Sequence, residues 1–334
     1  MDLLRKLTSV RGVSGHESAA GEVFKELLSK YTKDIKTDAL GNITGKISSG
    51  IKNAKKLLIE AHIDELGLMI TGVEERGFLT FTPIGGTDMK ILPGCEVTVH
   101  GKKDIYGVIG AKPPHLIKDG EDKGLNIDIM AIDTGIFDIK DFVSVGDIAT
   151  YNAGFTPLSG DYAADRAFDD RAGLAVLLKA LSMIEKPKMD VYVSATVGEE
   201  LGTRGARCVA WNVNPDYSIS VDVTFGTSEG SSEQSFELSK GPTVCISPSL
   251  SLDFTKQLMK LAGEKEILYQ TETEGGNTGT NAWAVAKNAE NCRCALVSIP
   301  IRYMHSTCEV INIKDIESAA KLIAAFCEEG ELDA

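Results

Sequence analysis

The chain has 334 residues, 43% hydrophobic and 25% charged, which is enough for one large domain or two with a substantial core. Its 48 acidic residues against 35 basic ones leave a net charge of −13, arguing against nucleic acid or an anionic membrane as the main partner. Seven cysteines scattered through apolar runs, no apolar stretch near the roughly 18 residues that span a bilayer, and a start unlike a signal peptide predict a cytoplasmic, soluble protein.

The first predicted element is a helix in "SGHESAAGEVFKELLSKY", where Ser14 and Glu17 form an S-x-x-E capping box and Val23, Phe24, Leu27 and Leu28 share a face. His16 sits in that cap as a surface residue. "AKKLLIEAHIDELGLMI" predicts a buried strand through Leu57, Leu58, Ile59 and Ala61 that ends near His62. From about residue 67 to 160 the pattern changes to short alternating segments such as "PGCEVTVHGKKDIYGVIGAK", separated by Gly, Pro, Asp and Lys turns. That is the signature of a small all-β barrel or sandwich, in which His100 and His115 read as structural.

After residue 165 strands alternate with helices. "DDRAGLAVLLKALSMI" has Leu174, Leu177, Leu178 and Leu181 on one helical face, and "MDVYVSATV" alternates Val191, Val193, Ala195 and Val197 as a strand does. Further strands are predicted at "DYSISVDV", "PTVCISP" and "CRCALVSIP", with helices at "TRGARCVAW", "SLDFTKQLMKLAGE", "GTNAWAVAKN" and "IKDIESAAKLIAAFCEE". The expected fold is α/β, with a mostly parallel central sheet covered by helices on both faces. Residues 1–66 and 161–334 would form this domain, with residues 67–160 inserted as the β domain. Cys292 and Cys294, one residue apart, lack the spacing of a zinc knuckle and read as core thiols.

Five segments bring carboxylate or imidazole to the ends of predicted strands or the starts of helices: His62 with Asp64, Asp169 with Asp170, Glu199 with Glu200, Asp222, and His305. In open α/β sheets, chemistry gathers beyond the carboxyl ends of strands. Two histidines with three carboxylates suit a pair of borderline divalent ions, Zn²⁺, Co²⁺ or Mn²⁺, about 3.5–4 Å apart. A neighbouring free carboxylate then serves as general base, which gives the Glu199–Glu200 pair two roles, ligand and base. Adjacent residues on a regular strand face opposite ways, so the backbone must bend there, helped by Gly198 and Gly202. Each residue also has an ordinary structural role open to it. Asp169 or Asp170 caps the following helix, Asp222 sits in a turn, and His305 is a satisfied loop histidine.

The motifs "AHIDELG", "FDDRAG", "VGEELGTRGA", "SVDV" and "IPIRYMHS" resemble, in order and separation, the tetrahedral (TET) aminopeptidase family. That family includes glutamyl and deblocking aminopeptidases and some members labelled endoglucanases. The resemblance spans essentially the whole chain. It implies a dinuclear metallo-aminopeptidase with a zinc-peptidase-like catalytic domain and an inserted PDZ-like barrel serving dimerisation or oligomerisation. It further implies that His62, Asp169 and Asp222 hold one ion, that Asp169, Glu200 and His305 hold the other, and that Glu199 is the general base. Asp64 would hydrogen-bond the far nitrogen of His62, and the Asp169–Asp170 peptide would be cis. The implied substrate is a short peptide with a free N-terminus, and the implied assembly a homo-oligomer, dodecameric in several relatives. This chain departs from the family at Thr307 and Cys308, where Pro-Val is frequent, and at Asn281, where Asp is common. Asn281 is the departure expected to bear on the substrate pocket.

Rival functions remain. An N-deacylase or dipeptidase would use the same dinuclear core. A glycosidase needs carboxyls about 5–9.5 Å apart across the sugar bond, and Trp211 and Trp283 are the only tryptophans to stack a sugar. A non-catalytic assembly protein would keep the fold without the chemistry.

Overall fold

The computed structural model describes residues 1–113, 127–231 and 234–330; His115 lies outside them. The chain begins with α1 (Asp2–Thr8) and α2 (Ser18–Leu28), then β1 (Ile35–Thr37), β2 (Ile43–Ile47) and β3 (Lys56–His62). It leaves the main layer to build β4 (Gly67–Val73), β5 (Phe78–Ile84), β6 (Glu96–His100), β7 (Asp104–Ala111), β8 (Met130–Asp133) and β9 (Ile148–Tyr151). It returns through β10 (Thr156–Pro157), β11 (Tyr162–Asp165), α3 (Phe168–Leu181), β12 (Asp190–Thr196), α4 (Arg204–Val213) and β13 (Tyr217–Phe225). The last elements are β14 (Thr243–Ile246), α5 (Leu252–Glu264), β15 (Gln270–Thr273), α6 (Asn281–Asn288), β16 (Arg293–Arg302), β17 (Glu309–Asn312) and α7 (Ile313–Glu329).

The excursion is a closed antiparallel barrel in the order β4-β5-β8-β7-β6-β9. Alternate residues Leu68, Ile70, Val97, Val99, Ile109 and Ile132 point inward and are buried, so the period-2 pattern fills the barrel and closure removes its edges. His100 is structural there, bonded to Asp104 Oδ1 through Nδ1 (2.7 Å) and to Thr150 Oγ1 through Nε2 (2.9 Å).

The main sheet has 11 strands, running β1-β2-β12-β3-β13-β16-β17-β11-β10, with β14 on β16 and β15 on β14. The expectation of a mostly parallel sheet needs correction. Parallel pairing is confined to β12-β3-β13-β16 and to β14-β15, while both edges are antiparallel. The edge strands are short and joined by tight connections, as β1 is to β2 and β10 to β11, and such connections permit only antiparallel pairing.

The two faces of the central strands differ in chemistry. Leu57, Ile59 and Ala61, Val191, Val193 and Ala195, and Ile219 and Val221 pack with α3, α5 and α7 into the large apolar core. The alternate residues Glu60, His62, Ser194, Thr196, Ser218, Ser220 and Asp222 face the side carrying α4 and α6, and are buried too. This second face is a polar layer covered by helices, as expected of both faces of the sheet, and it ends at the candidate site. Among the described residues no helix is long and apolar enough to cross a membrane.

Candidate metal centre

The parallel register levels the donors. Ser220 of β13 pairs with Glu60 of β3, so Asp222 comes beside His62 two residues further along each strand. Asp169 and Asp170 open α3 with non-helical backbone and are joined by a cis peptide bond. Beyond β12, Gly198 (φ 63°) and Gly202 (φ 104°) turn the chain so that Glu199 and Glu200 both face the same cavity. Gly205 lets α4 start hard against this turn, because a Cβ there would run into the Val197 carbonyl and Asn42. His305 arrives from the loop after β16, itself at φ 61°.

The carboxylate of Asp169 is shared between the two imidazoles. His62 Nε2 lies 2.9 Å from Oδ1, and His305 Nε2 lies 3.3 Å from Oδ2. Asp222 Oδ1 is 4.0 Å from His62 Nε2, and Glu200 Oε1 is 3.8 Å from His305 Nε2. Donor atoms of His62, Asp169 and Glu200 lie within 4.8 Å of one another, and so do those of His62, Asp170 and Asp222. The structure thus brings His62, Asp169, Asp170, Glu200, Asp222 and His305 together, with Glu199 on the wall of the same cavity. Asp170 Oδ1 accepts the Gly173 N–H at 2.9 Å as a helix cap would, while its buried Oδ2 has no partner.

His62 Nδ1 meets the Asp64 backbone carbonyl at 3.1 Å and the Asp64 carboxylate at 3.5 Å. That carboxylate is mainly occupied elsewhere, accepting the Glu199 N–H (3.0 Å), the Glu200 N–H (3.2 Å) and the Ser14 hydroxyl (2.6 Å). The predicted Ser14–Glu17 capping box therefore does not form. Helix α2 starts at Ser18 without a side-chain cap, because Ser14 serves Asp64 and Glu17 accepts the Gly15 N–H. Glu309, given no role from sequence, is buried and holds two parts of the site. Its Oε2 accepts the Asp169 N–H (3.1 Å) and its Oε1 the His305 N–H (3.2 Å). The signal for it was an acid four residues after His305. The barrel also reaches the centre, with Gly86 lining the cavity and a Cβ there 3.1 Å from His305 Nδ1. Asn281 is not a pocket residue. It is buried beneath, donating to Glu60 Oε2 and to Thr196 Oγ1, both at 2.8 Å.

The electrostatics call for cations. Burial lifts Glu199 to about 7, against His62 and with the help of Asp169 and Asp64. Burial lifts Glu200 to about 8, with Asp169 adding to it. Burial also pushes Asp170 and Asp222 well above the ordinary carboxylate range. Against the same burial, hydrogen bonds from His305 and His62 hold Asp169 well below it, and the bond to Asp169 raises His305 to about 9. Five crowded carboxylates with two imidazoles, and unpartnered oxygens on Asp170 and Glu200, form a mixed N/O donor set short of positive charge. Divalent metal ions fit it.

The family model of the M42 glutamyl aminopeptidases matches residues 41–322, a span that takes in all five donor segments. The chain belongs to this family. It is 32% identical to a lysyl aminopeptidase of Pyrococcus furiosus, over 98% of this chain and 96% of that one. Among solved structures, an aminopeptidase from the archaeon Desulfurococcus kamchatkensis superposes with a TM-score of 0.91 at 34% identity, covering 98% of this chain and 94% of that chain. The TET1 peptidase of Pyrococcus horikoshii, described as assembling into a tetrahedron or a large octahedral shell, gives 0.83 at 31% identity over 98% and 99%. Membership makes the chain a peptidase of the metal-dependent aminopeptidase type, and its mixed α/β sheet with a closed six-stranded barrel is that of the TET peptidases.

Proposed function

We propose that the protein is a dinuclear metallo-aminopeptidase that removes N-terminal residues from short peptides with a free α-amino group. The observation that carries this is the division of the two Asp169 oxygens between His62 and His305, the arrangement of a bridging carboxylate. His62, Asp169 and Asp222 would hold one ion, and Asp169, Glu200 and His305 the other. When bound, such ions supply Lewis acidity to a water and to the scissile carbonyl.

Glu199 is the carboxylate beside the metal donors that this ligand assignment leaves free, and it is the general base. In that role it takes a proton from the attacking water and passes it to the leaving amine. Asp64 keeps Glu199 and Glu200 in place through their backbone N–H groups. A glycosidase would need two carboxyls with a gap for a sugar bond, whereas the donor atoms of His62, Asp169 and Glu200, and those of His62, Asp170 and Asp222, converge within 4.8 Å.

Assembly into a homo-oligomer through the barrel belongs to the same proposal. Exposed Phe137, Val145 and Tyr106 on the barrel support it, as does the shell-forming relative. The free state of all seven cysteines supports a cytoplasmic setting.

The test is an aminoacyl-anilide panel on metal-free protein titrated with Co²⁺, Zn²⁺ and Mn²⁺, with N-acetylated anilides and the Glu199→Gln variant alongside. Metal-restored hydrolysis of free-amine substrates only, lost in the variant, is the expected result. Hydrolysis confined to the acetylated substrates would replace this function with an N-deacylase.

A further inference from the structure

The family description speaks of a glutamyl enzyme and one relative of a lysyl one, so membership leaves the N-terminal side chain open. The cavity itself, about 580 Å³, carries more information. Away from the metal donors its wall holds two further carboxylates, Glu272 and Glu274. They are two residues apart at the end of β15, where the period of a strand turns both to one face; the Glu274 N–H continues the ladder to Ile246 O at 3.0 Å.

Glu272 is only 8% exposed, and its partners are neutral. Thr224 Oγ1 donates to Oε1 and Thr243 Oγ1 to Oε2, both at 2.7 Å. Glu274 is half-buried. Neither forms an ion pair among the described residues. Burying an anion without a countercharge is costly, and the described residues give this pair no cation. Arg207, the cationic side chain of the cavity wall other than the two histidines, is exposed on α4.

Position matches charge. Thr224, which holds Glu272, follows Asp222 by two residues on the same face of β13, about 7 Å along the strand. A substrate whose α-amino end lies at Asp222 can therefore run a four-carbon stem along the cavity towards Thr224, with its charged end near Glu272 and Glu274. The carboxylates at the metal centre would be compensated by their ions; Glu272 and Glu274 would be compensated only by the substrate.

We propose that the Glu272–Glu274 end of the cavity is the side-chain subsite and that it selects peptides beginning with lysine or arginine. This rests on the aminopeptidase function above. An acidic N-terminal side chain would meet two like charges, a neutral one would leave both carboxylates unpaired, and a basic one pairs with them.

The experiment compares lysyl, norleucyl and glutamyl anilides on the metal-loaded enzyme, norleucine keeping the stem of lysine without its ammonium. The lysyl-to-norleucyl ratio of kcat/KM is expected to be on the order of tenfold, the worth of a hydrogen bond to a charged group, with glutamyl slowest. Glu274→Gln is expected to lower that ratio several-fold, and Glu274→Lys to bring it below one while raising glutamyl over lysyl. A ratio near or below one in the wild type, or one untouched by Glu274→Gln, overturns the subsite. Hydrolysis of none of the three overturns the aminopeptidase function first and the subsite with it, so the two failures are told apart.

Discussion

The Asp64 carboxylate accepts the backbone N–H groups of both Glu199 and Glu200, at 3.0 and 3.2 Å. One acid from the end of β3 thus fixes the turn after β12 that presents two others. Asp64→Asn would, in either amide orientation, aim an NH₂ at the backbone N–H of Glu199 or of Glu200 in place of an acceptor. A fall in kcat/KM of about 10–100-fold is expected, the usual effect of losing a group that orients ligands. Wild-type kinetics in this variant would show that the turn holds itself.

Base and ligand separate by metal content. Glu199→Gln is expected to keep both ions while turnover falls about 10²–10⁴-fold. Asp169→Ala removes the carboxylate common to both imidazoles, and elemental analysis of the purified variant should find less than half the wild-type metal. Equal metal in Asp169→Ala would refute the bridge.

Glu309 joins the first residues of α3 to the His305 loop. Glu309→Gln puts a donor against one of two backbone donors, and an about tenfold or greater loss of metal affinity is expected. Competition with a chromogenic chelator measures it, and unchanged affinity would leave Glu309 a core residue only.

A pH effect is expected far from the centre. Asp315 is buried, which raises it to about 6 although the N–H groups of Ser239 and Gly241 bond its two oxygens. Because its folded pKa lies above the unfolded value, its contribution to stability is present below about pH 4 and is lost as pH rises through about 6. Denaturation of wild type and Asp315→Asn at pH 4.5 and 7.5 should show the wild-type advantage shrinking by about 2 kcal/mol at the higher pH. A constant difference would mean that Asp315 does not titrate in this range.

The clustering of the candidate donors was legible in sequence because each follows a recognisable strand or opens a helix, and the barrel because its alternation is regular. The edge pairing was not, since β1 and β10 are only 3 and 2 residues long and mostly exposed. Ser14 was misjudged for another reason. A capping box is a local pattern, whereas the hydroxyl goes to Asp64, 50 residues away. Helices were expected on both faces of the sheet, and α4 and α6 do cover the polar residues of β3 and β13. Glu272 and Glu274 sit in "QTETEGG", which has the look of an exposed loop until β15 docks on β14.

The closeness of Gly86 to His305, which leaves little room for a Cβ, has a consequence for taking the molecule apart. The barrel begins three residues after Asp64, yet it supplies part of the wall against a histidine some 240 positions later. It is therefore no detachable handle. If subunits assemble through the barrel as proposed, the grip on a neighbour would be a grip on the reaction chamber as well, and a chain shortened by deleting residues 67–151 would be an open-sided vessel rather than a smaller enzyme.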